Sequence, residues 1–309
     1  MSNSTSLPSK ETFMALVEKK IIPFLSKYDS TSIKMLNLER FKKVLQIITI
    51  VFFLSFMATI LVFSLSRSSF LPFFLLLSLL ILTIKAIKNN INKYKTKMQK
   101  EILILGLSYL GKFYQEQEII TEKLIRESNT CGYFELFEIY FSFSGYLANT
   151  PLSVLKTKLC REDTTEDETY TVFDGIFIAI QIDKKIKTPI FVLNYPPKKK
   201  IPLSKNFTKI KIHDDEFMQN YQVFSSNSLD VYSVLTHDFT EKLKKLKFIC
   251  NAKHVHVAFL ENIVLFTIDT SPIFDIFKLD RAIKYTDNFI KFYDQIAALE
   301  QIIMTLKKN

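Results

Sequence analysis

The sequence predicts an α+β protein in which an N-terminal two-helix transmembrane hairpin precedes a cytoplasmic domain with a mainly antiparallel sheet and peripheral helices. Two long, uncharged apolar runs near the N-terminus predict the hairpin. A series of short β-rich segments after residue 137 predicts the sheet. A lopsided distribution of the 41 basic side chains predicts the orientation. These patterns divide the chain into residues 1–43, 44–87 and 88–309.

The first segment contains a predicted amphipathic helix between residues 9 and 28, with Ser9 as its N-cap. Five apolar residues share one face of this helix: Phe13, Leu16, Val17, Ile21 and Phe24. We expect this face to dock on the C-terminal domain, or else to lie on the membrane surface. The second arrangement would place four lysines against anionic lipid headgroups: Lys10, Lys19, Lys20 and Lys27.

The second segment contains the two apolar runs. Val44–Leu65 is uncharged over 22 residues. A helix of that length spans ~33 Å, enough for a bilayer core of ~30 Å. The second run, Phe70–Ile84, has 15 residues, and snorkelling of Lys85 extends it by three more. Ser66–Ser69 predicts a tight turn between the runs, and a hairpin that enters the bilayer without crossing it is the alternative.

The net charge of +10 is concentrated beside the apolar runs. Residues 1–43 carry eight basic and four acidic side chains, residues 85–100 carry six lysines and no acid, and residues 101–309 are nearly neutral. That pattern indicates membrane topology rather than nucleic-acid binding, so we expect both termini in the cytoplasm and no nucleic-acid partner. Five residues form the predicted lipid-facing basic flank: Arg40, Lys42, Lys43, Lys85 and Lys88.

The third segment begins with a predicted lysine-rich stalk helix, from about Lys85 to Tyr114, followed by a shorter helix at Ile119–Glu127. Strands are predicted at Glu138–Phe143, Ser153–Leu159, Val172–Ile182, Pro189–Leu193, Thr208–Ile212, Tyr221–Phe224, Val255–Leu260 and Ile263–Asp269. Acidic Arg161–Glu168 predicts a mobile loop, and a cation site in this loop is the alternative. Lysine-rich Asn194–Lys205 predicts a loop that is either solvated or in contact with lipid headgroups.

The last predicted helix, about Asp287–Leu306, carries a stripe of apolar residues at alternating spacings of three and four. The stripe consists of Phe289, Phe292, Ile296, Leu299, Ile303 and Leu306. Because it lasts for less than three heptads, we expect it to pack on its own domain. The alternative is that this helix binds a protein partner or forms a homo-oligomer.

No pattern in the chain predicts a cofactor. The five glycines form neither G-x-G-x-x-G nor G-x-x-x-x-G-K-[ST], which disfavours nucleotide binding by those loops. Cys131, Cys160 and Cys250 are odd in number and form no C-x-x-C motif, so we expect free thiols in a reducing compartment.

The histidines likewise predict no catalytic residue and no metal. His237 and Asp238 are adjacent and so do not face each other on a helix; we interpret Asp238 as a helix N-cap, with Glu241 following it. His254 and His256 share one strand face, which leaves a zinc site with Cys250 or His213 as the alternative.

Three blocks in the second half of the chain resemble one known family. "VFDGIFIAIQIDKKIKTPIFV" (Val172–Val192) resembles its strand-Gly-strand signature. "DDEFMQNYQVFSSNSLDVYSVLTHDFTEKLKKL" (Asp214–Leu246) resembles its most recognisable block, and "VHVAFLENIVLFTID" (Val255–Asp269) with "IFDIF" resembles the hairpin that follows and its exit. The family is the bacterial domain of unknown function three-one-three-seven. The chain departs from its pattern at Asn227, at Val231–Val234 and at His237.

The resemblance implies a multi-pass protein of the bacterial inner membrane with a cytoplasmic α+β domain, and it supplies no activity or catalytic residue. We therefore expect a membrane-tethered binding or scaffolding domain whose partners are membrane lipids, another protein or a second copy. The alternative is a membrane-associated enzyme that uses dispersed histidines or acids such as Asp174 and Asp230, brought together by folding.

Overall fold

The computed structural model describes residues 7–63, 70–114, 119–163, 168–194, 203, 206–270, 274, 276–277 and 286–308. The predicted turn at Ser66–Ser69 and most of the predicted loop at Asn194–Lys205 lie outside these residues. Contacts divide the chain into two compact units. One comprises Met1–Val17, Leu103–Ile276 and Thr286–Asn309, and the other comprises Glu18–Ile102 and Phe277–Tyr285.

The described elements give the α+β architecture that the sequence predicts. The helices are α1 (Lys10–Leu16), α2 (Ile22–Ser26), α3 (Asp29–Phe63), α4 (Phe70–Ser108), α5 (Glu122–Glu127), α6 (Asp215–Asn220), α7 (Ser228–Val234), α8 (His237–Ile249) and α9 (Thr286–Lys308). The strands are β1 (Lys112–Tyr114), β2 (Leu136–Leu147), β3 (Thr150–Asp163), β4 (Glu168–Gln181), β5 (Ile190–Asn194), β6 (Thr208–Ile210), β7 (Tyr221–Ser225), β8 (His254–Leu260) and β9 (Ile263–Asp269). The sequence did not predict β1 or α6.

A π-helical turn at Val17–Ile21 joins α1 to α2. As predicted, the Ser9 hydroxyl caps α1 by accepting from the Thr12 amide. The buried residues in this region recur every four positions: Phe13, Val17, Ile21 and Leu25. Of the five residues predicted to share one apolar face, Leu16 and Phe24 are only partly buried. A π turn holds one more residue than an α turn, so it moves the buried position from Phe24 to Leu25.

The N-terminal helix α1 packs on α9, which confirms the docking prediction for this part of the chain. The Phe13 ring lies 5.6 Å from the ring of Tyr293, and the Tyr293 hydroxyl donates to the carbonyl of Pro8 at 2.7 Å. Lys10 pairs with Asp294 at 2.8 Å. For the lysines that follow α1, which are Lys19, Lys20 and Lys27, contact with the membrane surface stays a prediction.

The two long apolar helices are α3 and α4. The second apolar run and the lysine-rich stalk form one continuous helix, which ends at Ser108 rather than at Tyr114. Within this unit the hydroxyl groups of Ser32 and Tyr94 lie 2.7 Å apart, and the rings of Phe52 and Phe73 stack at 5.0 Å. These contacts join the start of α3 to the later part of α4, so the two helices pack antiparallel.

The strands form one antiparallel sheet in the order β1-β2-β3-β4-β9-β8-β5-β7-β6. The β3–β4 ladder runs from Leu152↔Ile180 to Asp163↔Glu168. The acidic stretch predicted as a loop therefore continues both strands, and only residues 164–167 lie outside the described part. The side chains of Arg161, Glu162, Thr169 and Tyr170 are all exposed, so this extension of the ladder lies beyond the buried part of the two strands.

Helices cover both faces of this sheet. On one face, Leu124 and Ile125 of α5 join a buried cluster with Phe177 and Leu265 from the central strands. On the other face, the ring of Phe239 in α8 packs 5.6 Å from the ring of Phe259 in β8. The core therefore has two layers, one on each side of β4, β9 and β8.

The apolar stripe of α9 is buried within its own unit. All six predicted positions, Phe289, Phe292, Ile296, Leu299, Ile303 and Leu306, are at most 7% exposed. This confirms the prediction that the stripe packs on its own domain, while self-association through the helix stays a prediction.

Candidate functional site

The predicted basic flank lies in one stretch of the α3–α4 pair. The ion pair of Lys95 with Glu39, at 3.3 Å, marks one end of this stretch, and the Phe52–Phe73 stack marks the other. All five flank residues lie between these contacts: Arg40, Lys42 and Lys43 on α3, and Lys85 and Lys88 on α4. The antiparallel packing therefore brings together two basic segments that are about 40 residues apart in the sequence.

An apolar band adjoins the basic flank on both helices. Large hydrophobic side chains are exposed along α3 (Ile47, Ile50, Val51 and Leu54) and along α4 (Phe74, Leu75, Leu79 and Leu82). The two candidate spans, Asp29–Ala58 and Pro72–Ser108, are long and apolar enough to cross a membrane, judged by length and composition. Only 0% and 6% of their most apolar windows are buried. The core helix of a soluble protein would instead bury its apolar side chains.

A buried polar cluster surrounds Asn194 at the end of β5, where the ladder to β8 stops. Beyond the last pair, Val192↔Val257, the amide of Asn194 donates to Nδ1 of His256 at 3.0 Å. The side chain of Asn194 donates to the Asn220 carbonyl at 2.7 Å and accepts from Nζ of Lys247 at 2.8 Å. The ring of His254 stacks at 6.0 Å from that of His256 and contacts the same asparagine.

This cluster does not match the zinc site that His254 and His256 suggested. Nδ1 of His256 already accepts a backbone hydrogen bond. Burial, with contributions from His254 and Lys247, lowers the pKa of His256 to about 4, so the ring is neutral at pH 7. His213 stacks on Tyr232. Burial raises the pKa of Cys250 to about 12, so its thiol stays protonated and is a poor metal ligand.

A different group, Asp214, His237 and Glu241, has its ligand atoms within 4.8 Å of one another. Asp214 already accepts from the Phe217 amide and the Thr240 hydroxyl, both at 2.9 Å, and so caps α6. Burial raises the pKa of Asp214, but these hydrogen bonds and the nearby Lys244 and His237 outweigh it and hold the pKa low. The N-cap preference for Asp makes Asp214 the sequence signal for α6.

The prediction that Asp238 caps a helix was wrong. The N-cap of α8 is Thr236, whose hydroxyl accepts from the Phe239 amide at 3.4 Å. Asp238 lies inside the first turn and accepts from Lys242 at 2.6 Å and from Thr305 at 2.7 Å. Thr236 and Asp238 lie two residues apart, and both residue types are good N-caps. Thr236 caps the helix, whereas Asp238 joins α8 to α9 through its hydrogen bond with Thr305.

The acids named for the enzyme alternative have separate structural settings. Asp230 accepts from both the amide and the hydroxyl of Thr188, and so ties α7 to the segment before β5. Asp174 lies in β4, opposite Lys158. Among the described residues, the group close enough to hold a metal ion contains neither acid.

Two shallow pockets lie on the described residues of the sheet unit. One, of about 160 Å³, lies beside the β2–β3 turn and the end of α9, and Asp183 is its single carboxylate. The other, of about 370 Å³, lies between α8 and α9, and Asp294 is its single carboxylate. No histidine or cysteine lines either pocket.

Comparison with known proteins finds one family model that matches part of the sheet unit. No curated protein matches the chain. The crystal structure of the mycobacterial trehalose monomycolate transport factor A, TtfA, is similar at a TM-score of 0.32 and 6% identity, covering 54% of this chain and 73% of that one. A likeness at that level carries no argument about fold or function. The family model described as "Protein of unknown function (DUF3137)" matches residues 171–308. The match runs from within β4 to the end of α9.

Proposed function

We propose that this is an integral membrane protein in which α3 and α4 cross the bilayer as a hairpin and tether the sheet unit to the cytoplasmic face of a bacterial inner membrane. The exposed apolar band on both helices carries this proposal, because large apolar side chains in that number are stable only when lipid or protein covers them. Helices also satisfy their own backbone hydrogen bonds, which a bilayer core requires.

The orientation follows from the basic flank. Arg40, Lys42, Lys43, Lys85 and Lys88 lie at the end of the apolar band nearest to the sequence segments that continue into the rest of the chain. Basic side chains are retained on the cytoplasmic side and attract anionic headgroups, each by ~1 kcal/mol near the surface. Both termini are then cytoplasmic, and lipids are the first partners.

The tethered sheet unit acts as a binding or scaffolding domain, with another protein, a second copy or lipid headgroups as its partner. The two described pockets support this role, because each is lined by a single carboxylate and by no convergent set of reactive side chains. The alternative, a membrane-associated enzyme, would use a convergent site such as Asp214, His237 and Glu241. One equivalent of bound zinc in the purified protein, lost in His237→Ala, would favour the enzyme.

Cysteine labelling tests the hairpin. In a chain with Cys131, Cys160 and Cys250 replaced by alanine, we expect Ser66→Cys to react with a membrane-impermeant maleimide added outside intact cells. The matched variant Met304→Cys, which places an exposed cysteine on α9, should react only after the membrane is permeabilised. The protein should also resist alkaline extraction from membranes. Release by alkali, or protection of Ser66→Cys in intact cells, would contradict the proposal.

Crosslinking tests the binding role. Crosslinking in native membranes, followed by mass spectrometry, should recover one partner or a second copy above the background of abundant membrane proteins. Recovery of the background alone would count against a scaffold.

A further inference from the structure

A groove on the outer side of α8 and α9 has features of a surface-binding site. Phe248 and Ile249 of α8 and Ala297 and Ala298 of α9 form its apolar part. Lys245 and Lys291 lie on its rim. The residues of each helix recur at spacings of three and four, so each set lies on one helical face, and the two faces meet at the groove.

Phe248 gives this groove an unusual exposed ring. Its exposure of 85% is the highest of any large hydrophobic side chain in the described part of the chain. Its neighbours on the same helix, Phe239, Leu243 and Leu246, are fully buried. Phe248 therefore lies on the face of α8 that turns away from the core, and its ring is covered only if another surface contacts it.

The charge around the ring is positive. Asp294, the single acid in the groove, is paired with Lys10 at 2.8 Å. Lys245 contacts the neutral amide oxygen of Gln301 at 3.4 Å. Among the described residues, neither Lys245 nor Lys291 has a carboxylate within ion-pair distance. The groove thus combines an apolar ring with two lysines that form no ion pair with a described carboxylate.

The charge decides between the candidate occupants. A second copy, docked on the same groove about a twofold axis, would bring a surface with the same excess of positive charge against this one, which is unfavourable. An anionic lipid surface is complementary to these lysines and offers an apolar layer for Phe248 at the same depth.

We propose that the α8–α9 groove binds the anionic phospholipid surface, with Phe248 at the boundary of headgroups and acyl chains and with Lys245 and Lys291 against phosphates. This inference rests on the proposed membrane tether. One ring and two cations bind weakly in isolation, but a tether supplies an effective concentration on the order of millimolar. When the α8–α9 groove is docked on the lipid surface, a protein partner can bind only to the other faces of the sheet unit.

Because the sequence contains no tryptophan, the fluorescence of a single introduced tryptophan tests the proposal directly. The full-length Phe248→Trp variant would be reconstituted in nanodiscs of phosphatidylcholine, with or without one third phosphatidylglycerol, and with or without brominated acyl chains. In anionic discs we expect blue-shifted emission and at least twofold quenching by the brominated chains. Replacing Lys245 and Lys291 by glutamine in the same variant should remove at least half of that quenching.

A matched variant controls for general proximity to the bilayer. Leu229→Trp places a tryptophan at a position that is 76% exposed on α7, and its emission should not respond to bromine. If Phe248→Trp is not quenched, or is quenched equally without phosphatidylglycerol, the docking proposal is wrong. A blue shift without bromine quenching would place the ring in a protein contact and would also overturn it. Alkaline extraction of the same variants reports hairpin insertion separately, so the two proposals fail independently.

Discussion

At the scale of single residues, Asn194 joins β5 to three other elements of the sheet unit. Its amide and side chain contact His256 and His254 of β8, Lys247 of α8 and Asn220 of α6. The asparagine is fully buried, so its own amide, carbonyl oxygen and side-chain nitrogen depend on these partners rather than on water. Lys247 shows that placing a charge in this cluster is unfavourable, since burial lowers the pKa of its ammonium group.

We expect Asn194→Ala to destabilise the sheet unit by ~2–4 kcal/mol, because it leaves a half-buried ammonium and a backbone carbonyl without partners. The matched variant Gln219→Ala, at an exposed position on α6, should change the free energy of unfolding by less than ~0.5 kcal/mol. Urea unfolding of the reconstituted full-length protein, followed by circular dichroism, measures both. Equal midpoints would show that the cluster does not stabilise the fold.

His256 makes stability depend on pH. Its pKa is about 4 in the fold, against ~6.5 in an unfolded chain. The stabilisation is complete above ~6.5 and is lost as the pH falls toward 4, because the unfolded chain binds a proton that burial, together with His254 and Lys247, disfavours in the fold. Over that interval one additional proton binds on unfolding, so the free energy of unfolding falls by ~1.4 kcal/mol per pH unit.

Thermal unfolding at several values between pH 7.5 and pH 4.5 measures this effect. The His256→Leu variant should start less stable at pH 7.5 and show a weaker loss on acidification. Gln219→Ala, which alters an exposed and non-titrating side chain, should keep the slope of the unaltered protein. The same slope in His256→Leu would mean that another group titrates.

At the scale of elements, Gly175 explains the strand-Gly-strand signature. It lies in β4, opposite Thr157 of β3 and one residue before the pairing with β9 begins. A Cβ at this position would overlap the Ile268 carbonyl oxygen and lie 2.7 Å from Cζ of Phe173. The glycine is therefore required by the close approach of β9 rather than by a turn.

We expect Gly175→Ala to destabilise the sheet unit by ~1–3 kcal/mol or more, because a backbone oxygen cannot move without breaking the β4–β9 ladder. Gly132→Ala is the matched control, since its Cβ would lie 3.2 Å from one methyl group of Val172, a side chain that can adjust. Hydrogen exchange of the β4 and β9 peptides distinguishes the two variants. Unchanged protection in Gly175→Ala would contradict this explanation.

At the scale of the whole molecule, we expect the basic flank and the apolar band to interact with lipid in different ways. The flank attracts anionic headgroups through its charge, and the band holds the protein in the bilayer by burying apolar side chains. Replacing the five flank residues, Arg40, Lys42, Lys43, Lys85 and Lys88, by glutamine should leave the protein in the membrane. The replacement should weaken the preference of the protein for anionic over neutral lipid by more than ~10-fold, because each charge contributes ~1 kcal/mol.

The measurement is the ratio of phosphatidylglycerol to phosphatidylcholine retained by the purified protein, determined by mass spectrometry. The control removes the same charge from five exposed lysines of the sheet unit: Lys123, Lys185, Lys187, Lys209 and Lys211. An equal change in both variants would mean that total charge, rather than its position, selects the lipid.

The sequence by itself determined the two apolar helices, the Ser9 cap and eight of the nine described strands, because those signals are local in spacing and composition. It located the five residues of the basic flank but could not show that they share one stretch of a helix pair. It missed α6, although Asp214 is a good N-cap, and it placed the cap of α8 on Asp238 because two suitable residues lie close together.

Only the tertiary structure decided the strand order, the docking of α1 on α9 and the cluster around Asn194. Each depends on residues that are far apart in the chain, such as Asn194 and His256, and such pairings leave no periodic signal. The same holds for the groove at Phe248: the sequence shows a helix rich in lysine, and only the packing of α8 against α9 determines which ring is left exposed.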